Sequence, residues 1–189
     1  MSDAVGAVRA IASASVSSVM RARIAVAAIF FLNGVSVASW VVRIPDAQRA
    51  LALSAGTLGL ALLGAAGGAL VAMPFAGRLV SRHGSRAVTV GAALAYAATL
   101  ALPAVAPSLI LLIAALFING AANGSLNVAM NAQASTVERV HGRPIMASFH
   151  ALFSGGGLAG AAGGGMIAAG GASAQLHLAA VGGVMIALV

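Results

Sequence analysis

Four asparagines recur every four residues within one long apolar stretch, at Asn119, Asn123, Asn127 and Asn131. In an α-helix a step of four residues advances about 400°, so each asparagine is displaced by about 40° around the axis from the one before it. The four therefore form a slanting polar stripe rather than a single point. Such a stripe is wide enough for interhelical hydrogen bonds, for a hydrated face that lines a solute path, or for both.

Two further polar residues in apolar stretches are candidates for the same path. Asn33 lies within the first uncharged run, and His150 lies near the start of the last one. Because imidazoles titrate near pH 6.5, His150 is a candidate proton carrier or hydrogen-bond donor to a solute. A hydrogen bond to a neighbouring helix near the membrane surface is the alternative that we favour for it. His83 and His177 are expected near water.

The composition around these residues indicates that the chain is built for lipid. Of its 189 residues, 61% are apolar and 7% are charged, and cysteine is absent. A soluble domain carries about 25% charged residues, so a soluble globular protein is nearly excluded. The net charge of +7 comes from short arginine clusters between uncharged runs, which is not the pattern of a nucleic-acid surface. The sequence has no metal-ligand cluster, nucleotide loop or paired nucleophile, so we expect no enzyme, no metal and no cofactor.

The lengths of the uncharged runs predict the number of membrane spans. The runs hold 19, 28, 51 and 46 residues, and a spanning helix needs about 20 apolar residues. Turn residues divide the two longest runs at 103–108 and 170–173. The predicted fold is all-α, a polytopic single six-helix bundle with five full spans and a truncated sixth. The predicted spans are 24–42, 56–77, 87–106, 108–131, 146–169 and 175–189.

The distribution of arginines orients the chain in the membrane. With the N-terminus in the cytoplasm, the inner segments hold eight of the ten arginines and the outer segments hold only Arg43 and Arg49. Residues 1–23 are then a cytoplasmic tail and residues 24–189 the membrane domain, in the inner membrane of a bacterium. A signal peptide is the competing interpretation of the first run, but the run continues past its cleavage-like site. Translation can start at Met1 or at Met20.

Glycines spaced four residues apart predict close contacts between helix backbones. Gly64 and Gly68 have this spacing in the second span, and Gly156, Gly160 and Gly164 have it in the fifth. Small residues at this spacing let membrane helices approach closely. Movement of these helices against another bundle is a weaker inference from the same pattern.

Residues 77–86 form the most specific local pattern in the chain. The segment resembles the signature loop between the second and third helices of the major facilitator superfamily, although Ser81 stands where that family has an aspartate. In the family this aspartate helps to hold the outward-open state, so the resemblance implies a weakened contact here. The residues of the predicted signature loop are Gly77, Arg78, Arg82, Gly84 and Arg86.

The resemblance extends over about 24–175, and parts of the first, fourth and fifth spans are similar to a subgroup related to sugar permeases of the fucose type. It implies two six-helix bundles, of which this chain is the first, rocking around a site for a small-molecule substrate. The implied path contains Asn33, the asparagine stripe and His150. The implied partners are the lipid bilayer and either a complementary C-terminal half or a second copy, with no nucleic acid.

The acidic residues limit the ways in which protons can be coupled to such a transporter. Asp3, Asp46 and Glu138 are predicted in tails or loops, whereas permeases of the fucose type are expected to carry acids in their first and fourth helices. A proton carrier is then His150, Glu138 at the membrane edge, or a residue of the other half. A truncated product without transport activity and a helix-bundle scaffold subunit are the alternative functions.

Overall fold

A computed structural model describes residues 17–189, and every regular element in this part of the chain is helical. Five helices are long and apolar enough to cross a membrane, the third together with the turn that follows it, and the sixth has 15 residues. This confirms the predicted all-α polytopic bundle with five full spans and a shorter sixth. The helices are α1 (Ser2–Ala50), α2 (Ala55–His83), α3 (Ser85–Thr99), α4 (Leu109–His141), α5 (Met146–Ala169) and α6 (Ala174–Leu188), with a 3-10 turn (Leu102–Val105) between α3 and α4.

Several helices extend beyond the predicted spans because glycine, and not arginine, ends them. α2 continues through its arginines and stops at Gly84, which has φ 82°, and α4 stops at Gly142, which has φ 73°. Glycine adopts positive φ without steric cost, which makes it the common residue just past a helix. The predicted tail at 1–23 lies largely outside the described residues, and its residues 17–23 belong to α1.

The two ends of the bundle differ in the residues found there. At the serine end, Ser54, Ser108 and Ser173 accept hydrogen bonds from backbone N–H groups in the first turns of α2, α4 and α6, as N-cap serines do. The caps at Ser108 and Ser173 agree with the predicted turns at 103–108 and 170–173. The opposite, arginine end carries Arg21, Arg23, Arg78, Arg82, Arg86, Arg139 and Arg143.

Contacts between the helices arrange them in two rows. α2, α4, α1 and α5 follow one another in the first row, whereas α3 and α6 pack behind α4 and α1 and touch each other. Buried apolar side chains fill the bundle in two groups, a larger one around Phe30, Tyr96 and Phe149 and a smaller one around Leu112 and Leu116. The first row thus contains all the helices that carry the predicted path residues.

Glycines create the closest contact between α2 and α4. A Cβ added at Gly68 would overlap the carbonyl oxygen of Phe117 on α4, and a Cβ added at Gly120 would overlap that of Ala65 on α2. A Cβ at Gly64 would lie 2.9 Å from the carbonyl oxygen of Ile113. The two backbones therefore touch, which confirms the close approach predicted from the glycine spacing in α2.

The contact between α1 and α5 is built in the same way. A Cβ at Gly156 of α5 would overlap the carbonyl oxygen of Phe31 on α1, and a Cβ at Gly160 would overlap that of Val35. Gly34 of α1 faces α5 in return, where a Cβ would overlap the carbonyl oxygen of Phe153. This confirms the predicted close approach at the glycines of the fifth span, and it fixes the position of α5 along α1.

Candidate functional site

The asparagine stripe of α4 passes from a buried contact at one end to a partly exposed pair of amides at the other. Asn119 is buried, and its Nδ2 donates to Thr99 Oγ1 of α3 over 3.2 Å. Asn127 is exposed and Asn131 is half-buried. Asn131 Nδ2 donates to the main-chain carbonyl oxygen of Asn127 over 2.8 Å and lies 3.3 Å from Asn127 Oδ1. The stripe thus supports helix packing at one end and leaves an open amide pair, Asn127 and Asn131, at the other.

Three buried side-chain atoms have no hydrogen-bond partner within residues 17–189: Asn33 Oδ1, Asn123 Oδ1 and Arg43 Nη2. Leaving a buried polar atom unpaired costs about 1–3 kcal/mol, so such atoms are uncommon and call for an explanation. Asn33 Nδ2 lies 3.7 Å from Met130 Sδ of α4, and a thioether is a weak acceptor. α1 and α4 therefore carry hydrogen-bonding atoms that the bundle itself does not satisfy.

His150 is exposed in the first turns of α5, at the arginine end. Its ring packs edge-on against Phe30 of α1, with ring centroids 5.3 Å apart and ring planes at 85°. Phe30 in turn stacks on Phe149 at 5.6 Å. These contacts hold the imidazole beside α1 without covering it.

Glu138 lies in the last turn of α4 and caps the next helix. Its Oε2 accepts hydrogen bonds from the backbone N–H groups of Ile145 and Met146 over 2.7 Å and 2.6 Å. α5 has no N-cap side chain of its own, so a carboxylate from α4 satisfies its free N–H groups and interacts favourably with the positive end of its dipole. The predicted loop position of Glu138 is wrong, because α4 continues to His141, and the carboxylate positions α5.

A second polar cluster joins α1 to α6 near the serine end. Arg43, only 3% exposed, donates from Nε to His177 Nδ1 over 3.0 Å and from Nη1 to Asp46 Oδ2 over 3.0 Å. Asp46 Oδ1 also binds the exposed Arg49. Asp46 was expected in a loop, but it lies in α1, which continues through Pro45 to Ala50.

His177 was expected near water, and this expectation is wrong. The residue is 4% exposed because the first turn of α6 packs against α1. Gly164 of α5 leaves room for the ring, since a Cβ there would lie 3.0 Å from His177 Cε1. Sequence reasoning missed the Arg43–His177 pair. The only signal was an isolated arginine and an isolated histidine, each at the end of an apolar run.

The predicted signature loop is a helix end followed by a single connecting residue. Residues 77–83 are the last residues of α2, and Gly84 alone separates α2 from α3. Ser81 Oγ donates to the carbonyl oxygen of Gly77 over 3.0 Å, so the hydroxyl is engaged within its own helix. The exposed basic side chains of this segment are those of Arg78, Arg82, His83 and Arg86.

A cavity of about 520 Å³ opens at the arginine end between α1, α3, α4 and α6. Arg21 and Arg86 contribute to its wall, together with Thr89 and Gln133. Its lining includes neither the asparagine stripe nor His150. The cavity is a basic recess of the bundle that is separate from the open amide pair.

Comparisons with known proteins agree with this architecture. The family model of the Major Facilitator Superfamily matches residues 24–189. The chain is 40% identical over 139 residues to the uncharacterized transporter y4wD of Sinorhizobium fredii, covering 74% of this chain and 37% of that protein. It is 40% identical to an uncharacterized MFS-type transporter of Yersinia pestis (71% and 35% covered) and 38% identical to the membrane protein MosC of Rhizobium meliloti (72% and 33%). No solved structure matches the chain significantly.

The chain spans about a third of the length of these curated relatives. The family match begins in α1 and continues through α6, so it includes every helix of the bundle. It confirms the family predicted from residues 77–86, whereas the narrower resemblance to permeases of the fucose type stays a prediction. The chain belongs to the Major Facilitator Superfamily.

Proposed function

We propose that the chain is one half of a secondary transporter, which moves a small solute across the membrane by alternating access. Two of its relatives are named as transporters, and each relative is about three times as long as the matched segment. In this proposal a second helical bundle, from a complementary C-terminal half or from a second copy, covers the first row of helices. The solute then passes between the two bundles near the middle of the membrane.

The open amide pair is the observation that carries the proposal. Asn127 lies near the middle of α4, which has 33 residues and is long and apolar enough to cross a membrane. An amide facing hydrocarbon at this depth is costly, so polar residues there usually face a bundle interior or a water-filled cavity. α4 packs on α2, α3 and α1, yet leaves Asn127 exposed. A hydrated path beside Asn127 and Asn131 removes that cost.

The other candidate residues then divide into two roles. Asn123, with its unpaired Oδ1, and His150, held beside α1 by Phe30, extend the path. Asn119 and Asn33 are buried and act mainly in packing, since their Nδ2 atoms contact α3 and α4. The exposed arginines of residues 78–86 provide contacts for the second bundle at the arginine end.

The proposal predicts that water reaches position 127 within the membrane. The chain has no cysteine, so when the second half is also made free of cysteine, each introduced thiol is the sole target of a charged methanethiosulfonate reagent within the transporter. In membrane vesicles that contain the transporter with its second half, Asn127→Cys should react at least about tenfold faster than Leu158→Cys, because ionisation of a thiol needs water. Labelling is measured as the rate at which free thiol is lost.

Two positions serve as controls for this measurement. Leu158 lies at the middle of α5 and is 76% exposed, so it is an exposed apolar position within a membrane-spanning helix. Asn119 is buried against α3, so Asn119→Cys should react as slowly as Leu158→Cys. Equal, slow labelling at positions 127 and 158 would argue against a hydrated path and in favour of a scaffold role.

We further propose that the arginine end faces the cytoplasm, in the inner membrane of a bacterium, because arginines are retained on the cytoplasmic side. A membrane-impermeant maleimide applied to intact spheroplasts should then label Ala50→Cys and leave His83→Cys unlabelled. Inverted vesicles should give the opposite result. Both residues are exposed at helix ends, so they differ in the side of the membrane and not in burial. Labelling of His83→Cys in intact spheroplasts contradicts this orientation.

A further inference from the structure

We propose that His177 is a proton-binding residue, and that protonation of its Nδ1 atom releases the first turn of α6 from α1. The inference rests on the Arg43–His177 pair and does not depend on the proposed transport path. The ligand is H⁺, and the site lies one turn inside the serine end, just after the N-cap of α6 at Ser173.

The hydrogen bond between the two side chains requires a neutral imidazole. A guanidinium has donors and no acceptor, and it keeps its charge at any physiological pH. Because Arg43 Nε donates to His177 Nδ1 over 3.0 Å, Nδ1 must hold a lone pair. A proton on Nδ1 removes that acceptor and places a second cation beside a guanidinium that is 3% exposed.

The charged groups around His177 cannot neutralise this second cation. α1 contributes Arg43 and Asp46, but the carboxylate of Asp46 is already shared between Arg43 and Arg49. α5 contributes Gly164, which has no side chain, and the 3-10 turn (Leu102–Val105) has no ionisable residue. In α3 the only ionisable residues are Tyr96 and, at the arginine end, Arg86. Like charges in a poorly solvated site repel strongly, so the protonated form favours separation of α6 from α1.

The structure has room for this separation. His177 lies in the wall of an apolar cavity of about 350 Å³ between α1, α5 and α6. The next polar contact between α1 and α6 joins Ser36 Oγ of α1 to Met185 Sδ of α6 at 3.7 Å. A hydroxyl–thioether contact is weak, so the Arg43–His177 bond is the strongest polar link between α1 and α6 in the described part of the chain.

Distances between spin labels can test the proposal directly. Val41 and Leu176 flank the pair, are 54% and 67% exposed, and can be replaced by cysteine in a chain that has none. In the purified chain labelled at Val41→Cys and Leu176→Cys, we expect one narrow distance distribution at pH 7.5. At pH 5.0 we expect a longer and broader distribution, because a free imidazole is largely protonated there. The thermal unfolding temperature should also fall by about 5 °C between these pH values, since the unfolded state binds the proton.

Two variants and one control separate His177 from other titrating groups. His177→Gln keeps a hydrogen-bond acceptor that does not titrate in this range, and Arg43→Gln removes the fixed cation, so each should abolish the response to pH. His83→Gln changes an exposed histidine of α2 at the arginine end and should keep the full response. A wild-type distance that is the same at both pH values overturns the proposal, and so does an equal lengthening in His177→Gln. If a variant does not fold, the wild-type distances and the other variant still decide the outcome.

Discussion

Gly120→Val is expected to destabilise the bundle by more than about 3 kcal/mol and to reduce strongly the yield of monodisperse protein in detergent. Overpacking a well-packed site costs about 1–3 kcal/mol when side chains can adjust, and more when they cannot. At Gly120 an added Cβ would overlap the backbone of Ala65, which no rotamer change can move. α2 and α4 would have to separate along their whole contact. The unfolding temperature and the elution profile in detergent measure the effect.

Gly163→Val is the matched control for this substitution. Gly163 lies within α5, and an added Cβ there would meet nothing within 4 Å, so the same side chain should be tolerated. Gly120→Ala should fall between the two, because it adds the overlapping Cβ but no branch. Equal unfolding temperatures for Gly120→Val and Gly163→Val would show that the α2–α4 contact does not depend on the missing side chain.

Asp46→Asn is expected to destabilise the chain by about 3 kcal/mol, because it removes the only carboxylate within residues 17–189 that contacts the buried guanidinium of Arg43. Breaking a buried ion pair by removing one partner costs about 3–5 kcal/mol, since the remaining charge stays desolvated. Arg43 Nη2 is already unpaired, so the cluster has no spare acceptor within residues 17–189. The free energy of unfolding in denaturant, measured at pH 7.5, gives the cost.

Arg49→Gln isolates the contribution of burial to this effect. Arg49 binds the same carboxylate but is 75% exposed, and an exposed ion pair contributes about 0–1 kcal/mol. The substitution should therefore change stability by less than about 1 kcal/mol. If Arg49→Gln is as destabilising as Asp46→Asn, the network acts through its total charge and not through the buried Arg43.

The elements of the fold could be predicted from the sequence because they depend on local composition. Uncharged runs of about 20 residues or more and the turn residues between them predicted six helices, and the described part of the chain has six α-helices. The glycine spacings in α2 and α5 predicted backbone contacts, which the structure has. The helix ends were less predictable, because arginines can extend a helix into the polar boundary and a later glycine ends it.

The candidate site could be predicted only in part. The 40° displacement of successive asparagines predicted a slanting stripe wide enough for both helix packing and a solute path, but it did not say which end is exposed. That depended on α3, whose Thr99 contacts Asn119, and on the helix packing that leaves Asn127 open. Glu138 was expected in a loop, but it lies in the last turn of α4, and its role as the cap of α5 depends on a turn conformation that no residue pattern specified.

The sequence by itself determined that the chain is built for lipid, how many helices it forms and which family it belongs to. Hydropathy, charge spacing and a short motif are all properties of residues that are close together in the sequence. Only the tertiary structure decided which polar groups meet. Arg43 and His177 are 134 positions apart, and each looks ordinary in its own segment. Helix periodicity specifies the faces of one helix, whereas the partner of each face depends on backbone contacts at glycines of other helices. A buried pair of this kind therefore becomes visible only once α1, α5 and α6 are packed together.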